Sequence, residues 1–422
     1  MNINYFVAIV FVCLFAIEQA GADSVAIVYD NPGYYLYGGG MTASPTDPDD
    51  SMIIINTSNV VIDMGGNIFR QDPENTVPGF KCVSIAPNLS NVTIRNGIIA
   101  GFTGNGIVVN DGCFDIVLDG LSIKGCTDAG INFIGDRSGI MDVAIRNTSV
   151  SDTIPGSSRV TAGVHAFNTT RTLITTCYFE GNELVSPDRS AGVHFENSSV
   201  FEFSNNRTIG QVGKQFAAGY MFENCTEGII RDCLAYATNT ASGDGSDVVS
   251  GFYMDTCKDI WINSSQSVSG KARGQCFGFY SQKGVGTILE KISVQSQQAD
   301  QGSSGIYLSN EDGSYINNST IRSVVSTKGN AYGIQLADNC TRCQIEENLV
   351  SNNSGERSFG IIDNANPSTS LFIRNQCFNN SINYSVTYPG FELPIINGSL
   401  SNRDPGLPSL VCGTLDNVSV SL

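Results

Sequence analysis

The sequence predicts an all-β chain wound into a single-stranded parallel β-helix, a solenoid of roughly eleven coils with a cap at each end. Three observations carry this expectation. A short unit, Gly followed by apolar-x-apolar and often Asn, begins at Gly106, Gly130, Gly163, Gly192, Gly219, Gly251, Gly278, Gly305, Gly333 and Gly360. Successive units lie 24 to 33 residues apart, most of them 27 to 29. Hydrophobic alternation has period two throughout, with no helical period. About 27 residues holding several short strands describe one coil of a β-helix. Leucine-rich repeats need regular Leu at fixed offsets, and propeller blades need about 40 to 50 residues.

The elements follow in order. Residues 1–22 read as a signal peptide: an apolar run from Phe6 to Ile17 ends in Ala20-Gly21-Ala22, an A-x-A cleavage pattern. The run is too short to span a bilayer, although its leading MNINY lacks Lys or Arg. The mature, secreted chain would begin near Asp23. Residues 23–58, with Tyr34, Tyr35 and the loop TASPTDPDD, suit an N-terminal cap. The helix proper is expected over 59–378, opening with NVVIDMGG from Asn59 and NVTIRNGII from Asn91. Second strand-like runs such as DIVLDGLSI, DVAIRNTSV and DIWINSSQS follow most of the Gly units. Loops at Ile154–Ala162 and Asn239–Ser250 absorb the variation in period. Residues 379–422, with Pro389, Pro394, Pro405 and Pro408, break the repeat and suit a C-terminal cap. One coil cannot bury its own inner face, so stacking supplies stability and the ends need covering.

Period two also assigns the faces. The residue after each Gly, from Ile107 and Ile131 through Tyr220, Phe252 and Phe279 to Ile361, points inward. So does the residue two further on, among them Phe133, Phe195, Phe222, Met254 and Leu308. The strand-end Asn168, Asn197, Asn224 and Asn310 suit a structural ladder, because Asn bonds turn backbone and tolerates left-handed geometry.

Composition narrows the partners. Of 422 residues, 23 are Lys or Arg and 40 are Asp or Glu, for a net charge of −17. Such a surface repels phosphate backbones and excludes nucleic acid as a partner. Removing Cys13 with the signal leaves twelve of 13 cysteines, an even number without zinc-like spacing. Disulfides and buried free thiols both fit them. Seventeen Asn head N-x-S/T sequons, among them Asn91, Asn147, Asn197, Asn224, Asn263 and Asn339, which makes a eukaryotic secreted chain a glycoprotein.

The opening NVVIDMGGNIF, the Gly-apolar strands and the Asn turns resemble the pectin-lyase-like right-handed β-helix superfamily, in its largely uncharacterised β-helix repeat branch, over about residues 50–380. That resemblance implies a right-handed solenoid. The superfamily holds polysaccharide lyases and hydrolases, alginate-modifying enzymes, tailspikes and non-catalytic surface proteins, so fold does not assign the chemistry. The polygalacturonase-like motifs N-T-D, D-D, G-H-G and R-I-K do not occur here in order. Asp49-Asp50 falls in the cap loop, and pectate-lyase-like R-x-P-x-x-R is missing.

The outward columns carry the candidate site. Two residues after the Gly stand His165, His194, Met221, Tyr253, Tyr280 and Tyr307; four after it stand Glu196, Glu223, Asp255 and Gln282. Aromatic faces that cover pyranose rings, beside carboxylates and amides that bind hydroxyls, suit a glycan-binding groove along the rod. His165, His194, Tyr253, Tyr280, Tyr307 and Gln282 are its expected substrate-binding residues. The same stack permits a polysaccharide lyase or glycoside hydrolase using Glu196, Glu223 and Asp255, since stacked carboxylates raise one another's pKa. Those three acids also offer oxygen ligands to Ca²⁺. The plain alternative is a solvated face on a structural surface or fibre protein, assembling side by side or as a trimer. Asp244 and Asp247 stand in the insertion beside this face.

Overall fold

The computed structural model describes residues 26–386, apart from 46, 48–49, 75–76, 156–159, 182–187, 237, 241–246 and 367–368. The signal segment 1–22, the C-terminal region from 387, Asp49 and Asp244 lie outside the described residues.

Every coil contributes one strand to a fourteen-stranded parallel ladder running from Ile27–Tyr29 to Ile382–Val386. The pairing is in register along the Gly units: Ile131 faces Val164, Val193 faces Tyr220, Phe252 faces Phe279 and Ile334 faces Ile361. Two further parallel ladders complete the coil. One passes through Thr169–Thr175, Ser199–Ser204 and Thr226–Arg231, and the other through Tyr178–Glu180, Arg207–Ile209 and Leu234–Tyr236. In the early coils single strands, Ser90–Ala100 and Phe114–Lys124, run around the corner between them. A five-stranded ladder from Val212–Gly213 to Val325–Ser326 widens the middle coils. Among the described residues there is no helix, and so none long and apolar enough to cross a membrane.

The stack is longer than the expected eleven coils, about 60 Å over its fourteen strands at the usual strand spacing. Residues 27–43 are its first coil rather than a separate cap. Ile27–Tyr29 pairs with Ser51–Ile55, Gly33–Leu36 with Val60–Asp63, and Met41–Ala43 with Ile68–Gln71. At the other end Ile382–Val386 pairs with Ser358–Asp363, carrying the ladder past residue 378. These terminal coils lack the Gly that marks the repeat, which hides them from a motif search.

The two inward columns form the core as expected, with Ile107, Ile131, Val164, Phe195, Phe222, Phe252 and Ile334 fully buried. Rings stack along the axis: Tyr220–Phe252 centroids are 4.7 Å apart and Phe252–Phe279 4.5 Å, with the ring planes nearly parallel in each case. The repeated Gly answers to space. A Cβ on Gly278 would stand 2.6 Å from the Gly305 carbonyl oxygen and 2.5 Å from Val294 Cγ1. Only a bare Cα lets this strand close against both the next coil and the third ladder.

Corners impose left-handed backbone in register. The strand-end Asn168, Asn197, Asn224 and Asn310 all have φ of 52–54°, and Asn168 Nδ2 donates to the Gly135 carbonyl at 2.7 Å. At another corner the same geometry falls on Arg171, Val200 and Glu227, with φ of 55°, 51° and 56°. The stack enforces it even on a β-branched residue. A buried amide ladder runs inside: Asn206 Oδ1 accepts from the Cys177 backbone N–H at 2.9 Å, and Asn348 Oδ1 and Asn375 Oδ1 accept from the Ser319 and Asn348 backbone N–H groups, each at 3.0 Å. Asn206 heads a sequon yet is fully buried, and its amide holds the corner. The eleven described cysteines are buried free thiols. Burial pushes the Cys177 thiol up to about 11 and Cys126 to about 12.

Candidate functional site

The outward columns are in register as the sequence implies: His165 faces His194, Glu196 faces Glu223, Glu223 faces Asp255, and Tyr253, Tyr280 and Tyr307 follow one another. They do not form one continuous groove. Met221, fully buried, sits between His194 and Tyr253 in a small apolar cluster with Val160, Ala191 and Ala218. On one side of it lies a polar cavity of about 330 Å³, lined by His165, Arg189, His194, Glu196, Glu223 and Asp255, with Val160 and Asn224 at its edge. On the other side the tyrosines form a closed tier.

The tyrosines expected to form a sugar platform stack on one another. Tyr253 and Tyr280 lie 5.2 Å apart and Tyr280 and Tyr307 5.1 Å apart, with ring planes within 17° of parallel. Parallel in-register strands hold identical side chains at one strand spacing, so the rings cover each other's faces and turn their edges outward. Tyr253 is only 9% exposed. Gln282 belongs to the same tier: its Nε2 donates to the Tyr253 hydroxyl at 3.1 Å, and its Oε1 accepts from the Tyr280 hydroxyl at 2.8 Å. None of these four residues except through its neighbours reaches the cavity.

The cavity floor is a network centred on Glu223. His194 Nε2 lies 2.8 Å from Glu223 Oε2, and Arg189 Nη2 donates to Glu223 Oε1 at 3.0 Å. The Arg189 guanidinium also lies 5.1 Å from the centre of the Phe216 ring. Burial alone pushes the Glu223 carboxyl up, but the hydrogen bonds and charges of His194 and Arg189 outweigh it and hold the group at about 2. The expectation that stacking keeps one of these acids protonated therefore fails at Glu223, because a cation and an imidazole stand against it. His165 stacks on His194 at 5.0 Å, and its Nδ1 lies 3.1 Å from Asn132 Oδ1. Burial, then the neighbouring His194, lowers His165 to about 4 against the opposing pull of Glu223.

The metal grouping also changes. The ligand-capable atoms that come within 4.8 Å of one another belong to His194, Glu196 and Glu223, and Asp255 is outside that group. An imidazole in the set and Arg189 on Glu223 both oppose a hard cation such as Ca²⁺. Asp247 does not reach over the site: it is buried, and its Oδ1 accepts from the Gly274 backbone N–H at 2.6 Å.

Sequence reasoning missed Arg189 and Asn132. Arg189 faces Phe216, which faces Val248, so its column carries no repeated charge to draw attention. Asn132 occupies the column of His165 one coil earlier, and extending that column backwards would have found it.

A family model for a right handed beta helix region matches residues 112–289. No curated protein sequence matches the chain. Among solved structures, a double mutant of the periplasmic alginate epimerase AlgG aligns over 83% of this chain and 78% of its own, at 10% identity and a TM-score of 0.51. The mannuronan C-5 epimerase AlgE6 A-module of Azotobacter vinelandii aligns over 84% and 90% at 12% identity, TM-score 0.48. The surface adhesin PfbA of Streptococcus pneumoniae aligns over 90% of each chain at 10% identity, TM-score 0.44. At such identity the likeness to AlgG is one of fold.

Proposed function

We propose that this right-handed parallel β-helix protein, pectin-lyase-like in fold, binds a polysaccharide and seats one sugar unit in the cavity between His165 and Asp255. The observation that carries the reading is convergence: two imidazoles, three carboxylates and a guanidinium line one cavity of about 330 Å³. That volume is at the small end for ligand sites, suited to a single ring of a longer chain. Polar groups so placed match a polyol, whose hydroxyls both donate and accept. An extracellular or cell-surface location belongs to the same proposal and rests on the Phe6–Ile17 run with its cleavage pattern.

Binding leads over cleavage for a chemical reason. Hydrolysis needs one carboxyl to enter protonated, and Glu223, held at about 2, is a fixed anion. A hydrolytic second reading is carried by Glu196 and Asp255, which line the same cavity two coils apart, about 9–10 Å by strand spacing. That separation borders the inverting range. The test mixes purified protein with a panel of polysaccharides and follows chain length by size-exclusion chromatography. Co-elution without shortening is the expected result. Shortening that disappears in Glu196→Gln and Asp255→Asn would establish the hydrolytic reading instead, and neither outcome with any polymer refutes both.

A further inference from the structure

We infer that the sugar unit held in this cavity carries a protonated amine, so that the site selects an amino sugar polymer over neutral and uronic acid polymers. The inference rests on the glycan reading above and narrows it to a substrate class.

Charge is the first argument. Three carboxylates and one guanidinium line the cavity. Arg189 is already committed, with Nη2 on Glu223 at 3.0 Å and the guanidinium over Phe216. Among the described residues Glu196 and Asp255 have no ion pair; Asp255 Oδ1 accepts only from the neighbouring Thr256 hydroxyl at 2.9 Å. Both carboxylates line the cavity outside any ion pair. A ligand carboxylate would add a third negative charge there, and a ligand ammonium would complete the balance.

Hydrogen-bonding capacity is the second argument, and it is independent of charge. His194, only 3% exposed, lines the cavity and engages Glu223 through Nε2, while its Nδ1 has no partner. That nitrogen is itself enclosed, and the Nε2 proton is engaged by the Glu223 carboxylate. The bond between His165 Nδ1 and Asn132 Oδ1 requires the proton on Nδ1, because an amide oxygen only accepts; His165 Nε2 is then an acceptor. His165 Nε2 and the Glu196 and Asp255 carboxylates therefore present acceptors, with the Asn224 amide at the edge. An acceptor-rich pocket needs a donor-rich guest. An ammonium brings three N–H donors and no acceptor, whereas a carboxylate brings acceptors alone.

The long-range field has the same sign. A chain of net charge −17 draws a polycation toward it and repels a polyuronate before either reaches the cavity.

The experiment compares three oligosaccharides of equal length on the full chain by isothermal titration calorimetry at pH 5.5, where the sugar amine is protonated. They are a glucosamine oligomer, its N-acetylated counterpart and a galacturonate oligomer, all in the presence of EDTA. The glucosamine oligomer is expected to bind at least tenfold more tightly than the acetylated one, with no detectable binding of the galacturonate. Glu196→Gln and Asp255→Asn should each lower glucosamine affinity about tenfold, the usual worth of one charged hydrogen bond, with unchanged melting temperature. Equal binding of the glucosamine and acetylated oligomers overturns the amine inference and leaves the glycan reading standing. Binding of none of the three overturns both. Binding that requires a divalent cation in place of EDTA also overturns it, since His194, Glu196 and Glu223 would then be metal ligands. The ligand comparison needs no variant, so a misfolded substitution leaves the result decisive.

Discussion

Replacing Glu223 with Gln keeps the shape of the cavity floor and removes the charge that Arg189 and His194 both address. In the folded chain the carboxyl titrates at about 2 rather than 4.5, a displacement of about 2.5 units at roughly 1.4 kcal/mol each. The ceiling is thus about 3.5 kcal/mol. Arg189 is 31% and Glu223 21% exposed, so water screens part of it, and about 2 kcal/mol is the working expectation. Because the folded value is depressed, this stability is fully present above the unfolded value near 4.5 and is lost as pH falls toward 2. The glutamine variant has no such contribution at any pH. At pH 7 its melting temperature should lie about 3 to 6 °C below that of the parent, on the usual scaling for larger domains. The gap should close progressively between pH 4.5 and 2. Calorimetric scans of both proteins at one scan rate across pH 2–7 make the measurement, and comparing midpoints avoids assuming that a solenoid melts in one step. A gap that stays constant down to pH 2, or widens on acidification, would refute the assignment of Glu223 as an anion held by its two partners.

Three other outcomes follow from the same structure. The chain has only two histidines, so their ring resonances are simple to follow by NMR; His165 should remain neutral until pH falls to about 4. The unfolded chain takes that proton near 6.5, so the folded state loses stability as pH drops from 6.5 to 4, and a His165 midpoint near 6.5 would show that the ring is not desolvated. Val200 holds φ of 51° with its side chain largely exposed, and Val200→Asn should raise stability by about 1 kcal/mol, read as a higher melting temperature. Gly278→Ala should lower it by about 1–3 kcal/mol, because the added Cβ meets backbone of the next coil; an unchanged melting temperature would mean the ladders separate freely there.

Much of this molecule was legible in the sequence because a parallel β-helix repeats the same physical demand on every coil. Gly where the strand packs against its neighbours, two apolar residues inward and Asn at the left-handed strand end recur until the register is unambiguous. Ile107 through Ile361 are buried as that pattern requires. What stayed hidden was whatever a single coil does once. Ile27–Tyr29 joins the ladder without the Gly, and Arg189 stands alone in a column of Phe216, Val248 and Gln275. The tyrosines were a different failure: their column was found, but the sequence gives no sign that rings one strand apart will face each other instead of solvent. Alternation reports which side of a strand a residue takes. It says nothing about what lies over that side, and Met221 and Tyr253 are outward yet buried.

Arg189 explains how an acid column of this kind is tolerated. Glu196, Glu223 and Asp255 face one another in register, so bare carboxylates would repeat at about 4.8 Å. At an effective dielectric near 20 each adjacent pair would cost about 3.5 kcal/mol, and two such pairs would oppose folding of these coils. The guanidinium binds the middle member, which turns three neighbouring charges into two that are separated by about 9–10 Å. Near a Debye length at physiological salt, the remaining repulsion is small. The compensation is also selective: it spends the cation on Glu223, which His194 already holds, and leaves the two flanking carboxylates free at the cavity wall. Placing it on the middle member relieves both adjacent repulsions at once and keeps Glu196 and Asp255 at the cavity wall.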